Sequence, residues 1–117
     1  MKEWAVNFSE EFEKWWEELT ENQQISISAS VKLLRHLGPK LGFPHSSGIK
    51  NSAHSHMREL RVQHRGSPIM ILYAFDPKRE ALLLIGGNKA GNDRWYEEYV
   101  PFADKIYSKH LKNLKGN

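Results

Sequence analysis

The spacing of apolar residues changes repeatedly along this chain, and each change marks an element. In "EWAVNF", Trp4, Val6 and Phe8 recur every second residue, which predicts a short first strand. The period then lengthens: Phe12, Trp15, Trp16 and Leu19 predict a helix to about residue 20. Ser9 is placed to cap it, and Glu10 and Glu11 sit in the first turn, where the helix dipole favours acids. "TENQ", from Thr20 to Gln23, has capping-box form. Ile25, Ile27, Val31, Leu34 and Leu37 then predict a second helix that stops at Gly38, before Pro39. The two helices make a hairpin.

Residues 38–56, "GPKLGFPHSSGIKNSAHSH", read as an ordered loop of the kind that carries function. From Met57 to His64 the period is two, with Met57, Glu59, Arg61 and Gln63 on one face and Arg58, Leu60, Val62 and His64 on the other. "RGSP" turns the chain, and Ile69 to Phe75 is apolar on both faces, the mark of a central strand. "DPKR" is the next tight turn, and Ala81 to Ile85 the third strand of the meander. After the loop "GGNKAGNDR", the segment "WYEEYVPFADKIYSKHLKNL" is helical, and Pro101 is expected to open the last helix. The order predicts an α+β fold with one domain over residues 1–117. In it the N-terminal strand and helix hairpin pack on one side of a small antiparallel sheet with a C-terminal helix, leaving the other side free for a ligand.

Composition narrows the class. A chain of 117 residues, 39% hydrophobic and 26% charged, can bury a modest core. It has no cysteine, hence no disulfide and no thiolate metal site, which fits a reducing cytoplasm. The N-terminus carries acids where a signal peptide needs an apolar run, and no apolar stretch nears the roughly 18 residues of a membrane span. A cytoplasmic protein without a membrane partner is the expectation. The net charge of +3 hides an asymmetry: residues 1–30 hold two Lys against seven Glu, and residues 31–117 hold 15 Lys plus Arg against seven acids. One reading is a solvated acidic helix beside an ordinary basic surface. The other is a basic face for a polyanion.

Two segments carry candidate chemistry. "HSHMRELRVQHR" gathers His54, His56, Arg58, Arg61, His64 and Arg65. Arg61 lies opposite Leu60 and Val62 on the strand, so it points to solvent or to a phosphate backbone; the alternative is a surface arginine paired with Glu59. In "GGNKAGNDRWYEEY", Gly86 and Gly87 would let the backbone approach a ligand, while Lys89, Arg94 and Tyr96 bring two cations and a phenol to the sheet edge. The alternative there is a plain helix start, with Asp93 as N-cap and Trp95, Tyr96 and Tyr99 packed on the sheet. His54-x-His56 is the nearest approach to metal-ligand spacing but lacks a third ligand, so no metal is expected. His36 reads as a helix-dipole partner and His110 as a surface residue.

"MRELRVQHRGSPIMILYAFDP", followed by "LLLIGGNKAGNDRWYEEYVPFADKIY", resembles the phage-derived branch of the RelE/HigB toxins of bacterial type II toxin–antitoxin systems. The match spans roughly residues 41–111, beginning at "LGFPH", and the N-terminal third agrees in layout only. The resemblance implies a metal-independent ribonuclease without cofactor. It would cleave mRNA in the ribosomal A site and be held in a hetero-oligomer by a small helix-turn-helix antitoxin. It further implies that Arg61 clamps a phosphate with Arg58 second, and that Lys89 and Arg94 neutralise the phosphorane. Tyr96 would stack on a base or deprotonate the 2′-OH, for which a neighbouring cation must lower its pKa. His54, then His56, are the histidine candidates for proton transfer, and His64 and Arg65 join Arg58 and His56 as RNA contacts. One departure stands out: where the family carries arginines on the central strand, "SPIMILY" has Ser67 and Met70. Met70 cannot bind a phosphate, so either Arg61, Arg65 or Lys89 covers the charge or the activity is weak or lost. The alternative is a non-catalytic toxin on the same fold that binds a protein such as DNA gyrase, as ParE toxins do, or a degenerate toxin that pairs only with its antitoxin.

Overall fold

The structure, a computed structural model, describes residues 3–116. The chain runs β1 (Val6–Phe8), α1 (Glu10–Glu17), α2 (Glu21–Leu37), a 3-10 turn (Gly38–Lys40), β2 (Ser46–Gly48), β3 (Arg58–His64), β4 (Ser67–Phe75), β5 (Ala81–Asn88) and α3 (Trp95–Lys115). The hairpin starts as its caps dictate. Ser9 Oγ accepts the Phe12 amide at 2.9 Å, and Thr20 and Gln23 exchange both bonds of the capping box. α1 ends at Glu17, short of residue 20, because Thr20 is already committed to capping α2. Gly38 closes α2 at φ +57°, and a Cβ there would lie 2.5 Å from the Trp4 indole, so both backbone and packing require glycine.

The sheet order is β1-β5-β4-β3-β2. β3, β4 and β5 form the expected antiparallel meander, β2 adds antiparallel to β3, and β1 lies parallel to β5. β2 falls inside the stretch read as loop; its "SSG" sequence has no strand propensity, and pairing with β3 alone makes it a strand.

The expectation of a free sheet face is overturned. Leu60, Val62, Ile69, Ile71, Tyr73 and Leu83 pack with Phe12, Ile27 and Leu34 of the hairpin, while Met57, Met70, Leu72, Leu82 and Leu84 pack under α3 with Trp95, Val100, Ala103, Ile106 and Tyr107. A central strand apolar on both faces needs cover on both, and α3 supplies the second layer. The glycine pair is also reassigned: Gly86 and Gly87 lie inside β5, and a Cβ on either would collide with a tryptophan. At Gly86 it meets the ring of Trp15 from α1, and at Gly87 it lies 2.7 Å from Trp95 Nε1 of α3. They seat the two helices, one on each face.

α3 begins at Trp95, with Pro101 inside it rather than opening it. Pro101 is exposed, so the carbonyl its missing N–H leaves unpaired can be met by water. The N-cap position is Arg94, not Asp93; Asn92 Oδ1 accepts the Arg94 amide at 3.0 Å and turns the chain into the helix. No described helix is long and apolar enough to cross a membrane.

Candidate active site

The pleat of β3 sends Glu59 and Arg61 to the α3 side of the sheet, and the first turn of α3 brings Tyr96 down to meet them. Tyr96 Oη donates to Glu59 Oε1 at 2.6 Å. Ser47 Oγ, on β2 directly across from Glu59, donates to Oε2 at 2.6 Å, and Arg61 Nη1 donates to the same oxygen at 3.1 Å. Lys89, whose amide is tied to the Pro68 carbonyl at 2.9 Å, reaches over the Tyr96 ring with Nζ 4.8 Å from its centroid and donates to Tyr96 Oη at 3.2 Å. Side chains from β2, β3 and the start of α3 thus converge on one carboxylate, with Lys89 one link beyond.

Glu59 is 4% exposed, a buried carboxylate that is fully hydrogen-bonded, as burial of such a group demands. Sequence reasoning met Glu59 only as a neutralising partner for Arg61. That pairing is present, but Glu59 also anchors Tyr96 and Ser47. The missed signal was its position: Glu59 shares the pleat face of Arg61, and a charged residue between Leu60 and Met57 on a strand under a helix has to be satisfied internally. Tyr96 departs from its expected state too. Burial, then the hydrogen bond to Glu59 and its charge, raise the phenol well above its ordinary value near 10. Tyr96 is held as a neutral phenol, and the adjacent Lys89 does not turn it into a phenolate.

Arg61 uses one of its N–H donors on Glu59 and lays its guanidinium 5.4 Å from the Phe43 ring centroid. Phe43, 77% exposed, is a flat aromatic surface beside this cation that sequence reading passed over. Met70 stands directly across from Arg61 in the β3–β4 register and is 3% exposed beneath α3. Arg61 is thus the cation that faces Met70 across the β3–β4 ladder.

The remaining candidates are elsewhere. Arg94, exposed, pairs with Glu97 at 3.2 Å at the start of α3, on the same loop as Lys89. Arg58 turns to the hairpin side, donating from Nε to Ser46 Oγ at 3.1 Å. His64 Nδ1 lies 2.8 Å from Ser26 Oγ of α2, also on that side. Their β3 face carries Leu60 and Val62 into the core, so they cannot share a phosphate with Arg61. Arg65 is exposed in the β3–β4 turn with φ +49°, and His56 is exposed in the loop before β3. His54 stands edge-on against Tyr107 with Nε2 2.9 Å from Ser108 Oγ. Ser108 is 12 residues along α3 from Tyr96, about 18 Å at 1.5 Å per residue, so His54 does not belong to the cluster. His110 is not a plain surface residue: Nε2 lies 2.9 Å from Asp76 Oδ2. No group of three or more metal-ligating side chains occurs among the described residues.

A groove of about 960 Å³ lies on the other face, where Phe8, Phe12, Trp16 and Val31 line a cleft between β1, α1 and α2. Glu13, Glu17, Lys32 and Arg35 also line it, but the run of hydrogen bonds from Lys89 through Tyr96 to the buried Glu59 lies outside it, and that cluster is the candidate active site.

Comparison with known proteins agrees with this placement of elements. The family model "Phage derived protein Gp49-like" matches residues 14–108. The chain is 41% identical over 113 residues to "Putative toxin HigB3" of Mycobacterium tuberculosis (strain ATCC 25618 / H37Rv), covering 96% of this chain and 97% of that protein. It is 38% identical over 108 residues to "Putative toxin HigB2" of the same organism, of which it spans 54%. Among solved structures, a mutant of E. coli toxin RelE in the free state superposes with TM-score 0.55 over 97% of this chain and 98% of that one. The E. coli RelBE toxin–antitoxin complex gives 0.54 over 72% and 94%, and both share 12% identity with this chain, a likeness of fold. The chain belongs to the phage-derived Gp49-like family, and its fold is that of the RelE/HigB-like proteins.

Proposed function

We propose that this chain is the toxin of a type II toxin–antitoxin system and acts as a metal-independent endoribonuclease on mRNA engaged by the ribosome. It would be held inactive in a hetero-oligomer by a helix-turn-helix antitoxin. The observation that carries the reading is the convergence of Arg61, Lys89 and Tyr96 on the α3 side of the sheet edge. RNA cleavage by the ribose 2′-OH needs cations around the phosphorane, a route for the 2′-OH proton and a proton for the leaving 5′-oxygen. Arg61 and Lys89 supply the cations, with Arg94 an exposed third whose pairing with Glu97 is weak enough to exchange for phosphate. Phe43 offers a base a stacking surface beside Arg61. The relatives named as toxins and the RelBE neighbour support the toxin and antitoxin parts of the reading.

A second reading, a toxin that binds its target without cleaving it, is favoured by Met70 in place of a cation and by Arg61 already engaged with Glu59. Induction in growing cells separates the two. Expression of the wild type should arrest growth and create new mRNA 5′ ends, and Arg61→Ala or Lys89→Ala should each lower cleavage about 100-fold. Growth arrest without new RNA ends would select the non-cleaving reading.

A further inference from the structure

The hydrogen bonds at this site have a direction. Lys89 Nζ donates to Tyr96 Oη at 3.2 Å, and Tyr96 Oη donates to Glu59 Oε1 at 2.6 Å. An ammonium can only donate and a carboxylate only accept, so the phenol between them has one orientation. Building on the ribonuclease reading, we propose that Lys89, Tyr96 and Glu59 form a closed proton relay in which Tyr96 takes the 2′-OH proton while passing its own to Glu59.

Each step balances. The 2′-O–H bond breaks as the 2′-oxygen bonds phosphorus, the 2′ proton goes to Tyr96 Oη, and the phenolic proton moves to Glu59 Oε1. As the P–O5′ bond breaks, the Lys89 ammonium gives a proton to O5′. The RNA leaves as a 2′,3′-cyclic phosphate and a 5′-hydroxyl. Glu59 is then protonated and Lys89 neutral. Return of the proton from Glu59 to Tyr96, and from Tyr96 to Lys89, along the same two hydrogen bonds resets the site without exchange with water.

This arrangement resolves why a phenol raised above its ordinary range sits where a base is needed. Phenolate never has to form, because the Glu59 carboxylate takes the proton as the phenol receives one. Glu59 does not touch RNA; it acts through Tyr96 and is a positioning and proton-storing residue. Ser47 and Arg61 occupy its second oxygen, so Oε1 faces Tyr96 alone among the described residues. The titratable and charged groups facing Glu59 are Arg61 from its own strand and Tyr96 from α3, with Lys89 one link beyond.

The test is single-turnover cleavage of ribosome-bound mRNA by the purified wild type, Glu59→Gln, Tyr96→Phe and the double variant, with mRNA binding measured in parallel. Thermal melts accompany each. The amide of Glu59→Gln would accept the Tyr96 hydrogen bond but not its proton, and Tyr96→Phe keeps the ring on Trp95 without the hydroxyl. Each single variant should lose about 10²- to 10³-fold in rate with mRNA binding retained. The double variant should be no slower than the slower single one, as expected of groups acting as a unit. If Glu59→Gln fails to fold, Glu59→Asp, a carboxylate one methylene shorter and drawn back from Tyr96, takes its place in the cycle, with the same loss and the same non-additivity expected. Variants that cleave at the wild-type rate, or losses that multiply in the double variant, overturn the relay while leaving the ribonuclease reading intact. A wild type that cleaves no RNA overturns both.

Discussion

Arg61 and Glu59 show how much a single pleat decides. Two residues apart on β3, they project together to the α3 side, while Arg58 and His64, equally basic in sequence, turn to the hairpin. The alternation that separates them was legible in "RELRVQH", and it placed Arg61 opposite Leu60 and Val62 correctly. What a single strand cannot announce is its partner across space: that Tyr96 reaches Glu59, 37 residues away, depends on where α3 begins. His54 and Lys89 both suited the chemistry by residue type; only the packing of α3 separates them, leaving Lys89 on Tyr96 and His54 on Ser108. Asp76 is a second buried carboxylate at this scale. It accepts the Lys78 and Glu80 amides at 2.9 and 3.1 Å across the β4–β5 turn and binds His110 of α3. Burial alone would raise its carboxyl, but the bonds from His110 and the two amides outweigh it and hold the pKa below its ordinary 3.8. A depressed carboxyl stabilises the fold above its unfolded value and ceases to do so as pH falls through the folded one. Asp76→Asn should therefore cost about 1–3 kcal/mol near neutrality. That difference from the wild type should shrink below about pH 4, as read from denaturant midpoints.

At the scale of elements, β5 explains the architecture. Its glycines were legible as glycines but not as seats, because "GG" before a loop looks the same whether a ligand or a tryptophan occupies the space. Trp15 fills the space over Gly86 and Trp95 the space over Gly87, so α1 and α3 both lie close against the same strand. Gly86→Ala and Gly87→Ala should each destabilise by about 1–3 kcal/mol through overpacking. Each kcal/mol should appear as a drop of about 4–8 °C in melting temperature for a domain of this size. Gly87→Ala should also lower cleavage, since displacing Trp95 shifts its neighbour Tyr96; Gly86→Ala, on the opposite face, should leave cleavage by the folded fraction unchanged. Equal effects on activity would contradict the assignment of faces. The helix hairpin, by contrast, was readable in advance, since Ser9, Thr20, Gln23 and Gly38 are local signals whose caps form within a few residues.

Across the whole molecule, the layers are hairpin, sheet and α3, and each face of the sheet has its own core. The apolar groove belongs to the hairpin layer, flanked by Glu3, Glu13 and Glu17, and the cationic cluster belongs to the α3 layer at the β3 edge. The sheet does not sort the charges cleanly: Arg58 and His64 lie on the hairpin side with the acidic helices, and Lys32 and Arg35 line the groove beside Glu13 and Glu17. If the α3-side cluster turns the substrate's own 2′-OH on its phosphate, the ends of the cut RNA must carry the mark of that attack. RNA from cells expressing the wild type, and from cells expressing Arg61→Ala, should be ligated selectively for 5′-hydroxyl and for 5′-phosphate ends. New 5′-hydroxyl ends facing 2′,3′-cyclic phosphates are expected with the wild type, and their loss with the variant. New ends bearing 5′-phosphate, the mark of attack by water or hydroxide, would refute this chemistry.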